Sequence, residues 1–131
     1  MNNFEQERRE LGLKCAVLIS DFYYFRNLDA YIELIENFLS YKIDVNKFET
    51  DFYEMERLDR DKKCEWDDML YIINNLKLKQ FQGLSSVISK LFTDLDVFEA
   101  DPLLREDYEI DEEELRNFAE EALSKLKNYS Y

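Results

Sequence analysis

Histidine is absent from the 131-residue chain, and glycine and proline nearly so, with two and one. Without an imidazole, neither a Ser-His-Asp nor a Cys-His catalytic arrangement can be assembled, and a His-containing zinc site is excluded as well. Two glycines cannot build a GxxxxGK phosphate loop or a GxGxxG dinucleotide turn, and neither pattern occurs. The same scarcity of chain breakers and left-handed turn formers argues against a multi-turn β-fold and for an all-α protein. Cys15 and Cys64 stand far apart, fit neither a disulfide framework nor a CxxC site, and are expected as reduced thiols. Long apolar runs are missing too, because the first is broken by Lys14, Ser20 and Asp21. No signal or membrane span is therefore expected, and the cytoplasm is the expected address.

Apolar material is plentiful: 46% of residues are hydrophobic and 15% aromatic, with ten Phe and nine Tyr, enough to support one folded domain spanning 1–131. Charge is unbalanced, with 17 basic against 30 acidic residues, a net −13. A field of that sign repels nucleic acid and anionic membrane and attracts basic partners. A merely solvated surface gives the same total, so its distribution matters.

Helical periods account for most of the chain. From Glu5 to Arg26, Leu11, Cys15, Leu18, Phe22 and Phe25 recur at helical spacing, although Leu13, Cys15, Val17 and Ile19 also alternate as a strand would. Asp29 is a candidate cap for a helix whose face is Ile32, Leu34, Ile35, Phe38 and Leu39. Asp44 can cap the next, with Phe48, Phe52 and Met55 on one side and an end near Leu58; the short Tyr41-Lys42-Ile43 link predicts an antiparallel hairpin. A further helix is expected between Asp59 and Lys79, carrying Trp66, Met69, Leu70, Ile73 and Leu76, before a break at Gly83. Leu84, Val87, Ile88, Leu91 and Phe92 form another face, and Asp94 to Ile110, with Pro102, reads as an ordered loop. Asp111 and Glu114 have capping-box spacing ahead of Leu115, Phe118, Ala119, Ala122, Leu123 and Leu126.

The charge is concentrated. Between Asp94 and Glu121 thirteen acids stand against Arg105 and Arg116, a local −11. Asp111 to Glu114 suit a helix N-terminus and are discounted as site residues. The acids from Asp94 to Asp107 have no such structural purpose, so a binding surface for a basic partner is the expected reading.

The run Leu91 to Asp101, followed by Arg105, Tyr108-Glu109-Ile110-Asp111 and Leu115, resembles the C-terminal half of colicin D-type immunity proteins. Phe38-Leu39-Ser40, Lys42-Ile43 and Phe48 are similar to the first helical hairpin of that family, in the right order. The likeness covers roughly 28–59 and 85–127. The resemblance implies an antiparallel four-helix bundle over 28–128, to which the period of residues 1–27 adds an N-terminal extension expected as an additional helix. It also implies a mechanism, in which the inhibitor binds the C-terminal nuclease domain of a tRNA-cleaving toxin and sets acidic side chains in its basic cleft, mimicking tRNA. Position by position, Asp96, Glu99 and Asp101 match the family's acidic contact residues, with Asp94, Glu106 and Asp107 as neighbours. The implied protein is not an enzyme, needs no cofactor or metal, binds neither nucleic acid nor membrane, and acts as a monomer in a 1:1 complex with a bacteriocin or a contact-dependent growth inhibition toxin. The alternatives are an acidic helical adaptor or antitoxin for a different basic protein and, at lower weight, an acid-pair enzyme or cation-binding protein.

Overall fold

The computed structural model describes residues 20–62 and 82–129, and four helices carry them: α1 (Leu28–Leu39), α2 (Val45–Arg60), α3 (Leu84–Asp96) and α4 (Glu112–Lys127). Residues 20–26 are also helical and lead into α1. The all-α class expected from composition is the one observed. The expected helix through Trp66 and Leu76, the first part of the Glu5 to Arg26 helix, and both cysteines lie outside the described residues.

Each helix buries the stripe its period dictates. In α1 this is Leu28, Tyr31, Leu34, Ile35 and Phe38; in α3, Leu84, Ile88, Leu91 and Leu95; in α4, Leu115, Ala119, Ala122 and Leu126. Full burial of one such large apolar side chain contributes about 1.5–3 kcal/mol, which is why the stripes, more than propensity, hold the helices. The stripe of α2 is different in kind: it starts with Phe48 and Phe52 and continues into buried Glu56 and Asp59.

A tyrosine from a facing element donates to one oxygen of each of these acids. Tyr24 Oη donates to Glu56 Oε1 at 3.0 Å, and Tyr31 Oη donates to Asp59 Oδ2 at 2.7 Å. Asn27 Nδ2 donates to Asp59 Oδ1 at 2.6 Å, and Arg60 lies 3.3 Å from Glu56 Oε2. Burial first, then the neighbouring carboxylates, push both phenols well above the usual tyrosine range.

Side-chain pairs between helices set the register. Phe38 stacks on Phe48 with ring centroids 4.2 Å apart and planes 3° from parallel, while Tyr31 meets Phe52 edge-on at 6.0 Å. Together with the Tyr31–Asp59 bond, this makes α1 and α2 an antiparallel hairpin. Its link turns at Tyr41, which adopts a left-handed φ of 64°. In the second hairpin, Tyr129 Oη reaches the Gln82 carbonyl at 2.8 Å, Lys90 lies over the Phe118 ring at 4.2 Å, and Phe98 pairs with Ile110. Those three rungs make α3 and α4 antiparallel as well. Tyr53 against Phe92, 5.2 Å apart, joins the hairpins.

Two capping expectations hold and one does not. Asp44 Oδ1 accepts from Lys47 N at 2.8 Å, and Asp111 with Glu114 forms the capping box. Asp29, however, lies within the first turn of α1; the helix starts one residue after Asn27, whose side chain is drawn to Asp59 instead of capping. A second difference concerns α3, which runs through Asp96 and so takes Asp94 and Asp96 out of the expected loop. Leu91 and Leu95, one turn apart and both buried, carry the helix past Phe92.

The segment expected as an N-terminal extension contributes to this core. Tyr24 is buried, and the carboxylate of Asp21, 1% exposed, caps α3 from outside its own sequence neighbourhood. Its Oδ1 accepts from Ser85 N at 2.6 Å and its Oδ2 from Gly83 N at 3.1 Å, satisfying helix-start donors that Gly83, at φ 87°, has no side chain to meet.

Candidate functional site

The connection from α3 to α4, residues 97–111, is a closed loop. Ile110 N donates to the Val97 carbonyl at 2.8 Å, and Glu99 N to the Ile110 carbonyl at 3.0 Å, so its two ends are tied side by side. Inside, Arg105 folds back: Nε donates to the Glu99 carbonyl at 3.0 Å and a terminal nitrogen to the Ala100 carbonyl at 3.3 Å. Asp101 Oδ1 accepts from Leu103 N at 2.9 Å, and Glu109 Oε1 from Glu106 N at 2.8 Å. The loop therefore has a defined shape that its own side chains impose.

The base of the loop is set by a column of planar groups. The Arg116 guanidinium lies 4.1 Å from the Phe38 ring centroid and 4.0 Å from that of Tyr41, and Phe48 stacks on Phe38. Arg116 also bonds the Phe38 carbonyl and Glu112 Oε2. This clamp locks the first turns of α4, where the loop ends, to the first hairpin.

The sequence-predicted acids fall into three groups. Asp96, Glu106 and Asp107 are exposed, and their carboxylates have no hydrogen bond or ion pair among the described residues. Glu99 and Asp101 each accept one backbone N–H, from Asp101 at 3.3 Å and Leu103 at 2.9 Å, leaving further acceptor capacity on each. Asp94 stands apart. It is buried, and both its oxygens accept from Lys90 Nζ, at 2.7 and 2.8 Å. Its place on the α3 stripe turns it inward to an i,i+4 partner, so its carboxylate is committed within the fold.

Asp96 occupies an unfavourable place for stability alone. It is the last residue of α3, whose final turn carries no basic residue, and the negative end of a helix dipole disfavours an anion there.

One member of the surface was missed from sequence. Glu49 lies on α2, distant in the chain, yet burial and then the Glu99 carboxylate push its carboxyl up from the usual range. Tyr53, one turn along α2, is pushed up to about 12 by burial, with Glu49 and Asp96 adding. Glu49 is thus near enough to Glu99, and Tyr53 to Glu49 and Asp96, for their charges to interact where Tyr53 packs on Phe92 between the hairpins. No sequence signal marks Glu49, because thirty acids leave any one of them inconspicuous.

The raised Glu49 carboxyl has a definite sign. A folded-state value above the unfolded one favours the protonated form, so its stabilisation is present at acid pH and is lost as pH rises through the raised value. Glu49→Gln is therefore expected to raise stability at neutral pH, by no more than about 0.5 kcal/mol because solvent screens the site. It should also flatten the change in melting temperature between pH 4 and 7, readable by thermal denaturation across that range.

Among the described residues, no group of His, Cys, Asp or Glu is placed to hold a metal ion, and no helix is long and apolar enough to cross a membrane. A groove of about 420 Å³ between α1 and α2 is lined by Ala30, Leu34, Met55 and Leu58 with acids at its edge. The chemistry offered by the acidic surface is recognition of cations: carboxylates held on a rigid frame for Lys and Arg of a partner.

Residues 27–126 match the family of bacterial self-protective colicin-like immunity proteins. No curated protein and no solved structure matches the chain significantly. The matched span takes in the acidic loop and all but the last residue of the four helices, three quarters of the sequence, and the chain belongs to the bacterial self-protective colicin-like immunity family, whose members neutralise a cognate toxin.

Proposed function

We propose that this protein neutralises a tRNA-cleaving toxin by seating the acidic loop between α3 and α4 in the basic active-site cleft of the toxin's nuclease domain. The observation that carries this reading is the set of uncommitted carboxylates on a braced loop and on the last residue of α3, which leads into it. Among the described residues Asp96, Glu106 and Asp107 have no hydrogen-bond or ion-pair partner, Glu99 and Asp101 retain acceptor capacity, and Glu49 adds to the same field. A nuclease cleft holds Lys and Arg where phosphates bind, and carboxylates at such positions make short, charge-assisted hydrogen bonds in their place. The inhibitor thereby stands in for tRNA. Asp94, bound to Lys90, supports the frame and is not assigned a contact.

Opposite fields also raise the rate of encounter by roughly tenfold to a thousandfold, which suits a cell exposed to its own toxin. The role requires no cofactor and no catalysis, and one inhibitor per nuclease domain, acting from the cytoplasm, suffices.

The test is cleavage of tRNA by the nuclease domain encoded beside this gene. Adding the purified protein at equimolar concentration is expected to abolish cleavage, and anticodon-loop fragments should disappear from the gel. Undiminished cleavage in the presence of a folded, stoichiometric excess would overturn the nuclease reading.

A further inference from the structure

Among the described residues, five large hydrophobic side chains are exposed, and three of them, Leu103 (91%), Leu104 (67%) and Tyr108 (72%), lie on the same acidic loop. Of the other two, Tyr41 stacks on Arg116 and Leu58 lines the groove beside α2. Scattered exposed hydrophobics are ordinary, but a concentration on one loop with a polar rim marks a contact surface.

The loop holds these side chains out by construction. Arg105, between Leu104 and Tyr108, turns back to the Glu99 and Ala100 carbonyls, and the Asp101 carboxylate fastens Leu103 N. The polar residues thus brace the interior while the apolar ones point away. A preformed presentation lowers the entropy lost on binding.

Resting on the nuclease reading above, we propose that Leu103, Leu104 and Tyr108 form an apolar anchor that occupies the surface on which the toxin nuclease stacks a base of its substrate. Nucleases that handle single-stranded RNA need two kinds of surface: cations for phosphates, and aromatic or apolar platforms for unstacked bases. An inhibitor filling that cleft meets both. The loop carries the complement of both, with the acids Glu99, Asp101, Glu106 and Asp107 beside three exposed apolar side chains. An apolar centre with a charged rim is also where binding energy concentrates in protein interfaces, with tyrosine among the commonest anchors.

Affinity of the neighbouring-gene nuclease domain for the full-length protein, measured at low and high salt, tests this. The forms compared are wild type, Tyr108→Ala, and the double variant Leu103→Ala with Leu104→Ala. All three residues are exposed, so the variants should melt with the wild type. Each variant is expected to bind at least about tenfold more weakly, mainly through faster dissociation. The deficit should persist at high salt, where charge contributions are screened.

Wild-type binding that both variants match at high salt would overturn the anchor alone. Failure of the wild type to bind the nuclease domain would overturn the nuclease reading and the anchor with it. Sedimentation as a dimer, broken by Leu103→Ala with Leu104→Ala, would assign the apolar tip to a second copy of this chain and overturn its role at the toxin.

Discussion

Substituting Asp96→Asn, Glu99→Gln and Asp101→Asn together is expected to weaken binding to the toxin nuclease domain by at least about thirtyfold, with no loss of thermal stability. The amides are chosen over alanine for a structural reason. Glu99 and Asp101 each accept a backbone N–H within the loop, and an amide oxygen keeps those bonds while removing the charge. Alanine would confound lost contact with a loosened loop. Leaving a buried partner charge unpaired costs about 2–5 kcal/mol, and the lower end already corresponds to roughly thirtyfold, since 1.4 kcal/mol is tenfold.

The same triple variant should associate more slowly at low salt and show a flatter dependence of association rate on ionic strength, because the steering field is reduced. Stopped-flow binding across a salt series measures both. Removing Asp96 from the C-terminal turn of α3 relieves an unfavourable helix-dipole interaction, so the melting temperature should hold or rise. Unchanged affinity with an intact fold would remove these three carboxylates from the contact.

Phe48→Ala is expected to have the largest effect on the fold, about 3–5 kcal/mol, out of the roughly 5–15 kcal/mol that typically separates folded from unfolded domains. The ring is fully buried, lies flat against Phe38 at 4.2 Å and contacts Phe52 at 6.2 Å, so truncation loses apolar transfer and leaves a cavity. Its neighbours cannot readily collapse into the space, because Phe38 is held on its other side by Arg116, itself clamped against Tyr41. Thermal denaturation should show a fall on the order of 10–20 °C.

The damage should extend to function. The column ending in Arg116 fixes the start of α4, and the acidic loop ends there. Phe48→Leu, which refills most of the space, should recover most of the stability and with it toxin neutralisation.

Much of this was legible from the chain. The stripes of α1, α3 and α4, the cap at Asp44 and the box at Asp111 all follow from local chemistry: a 3.6-residue period, and a carboxylate one turn before an unpaired N–H. The acidic loop was legible as composition, because charge density needs no coordinates. Asp29 is not the cap because Asn27, two residues earlier, sits where the chain enters the helix and is held by Asp59 from α2.

What sequence alone determined, then, is the helical class, the apolar stripes, the loop and its charge, since each depends on residues within a few positions of one another. The tertiary structure decided the rest. Asp94 and Asp96 are alike in type and two apart in sequence, yet the helical phase turns one inward to Lys90 and leaves the other at the surface. Asp21 becomes the cap of α3, and Glu49 joins Glu99, only when the hairpins pack. Pairings of that kind join residues far apart in the chain, and no local period or propensity encodes them: distance in space, not in sequence, sets the interaction of a carboxylate with a donor or with another charge.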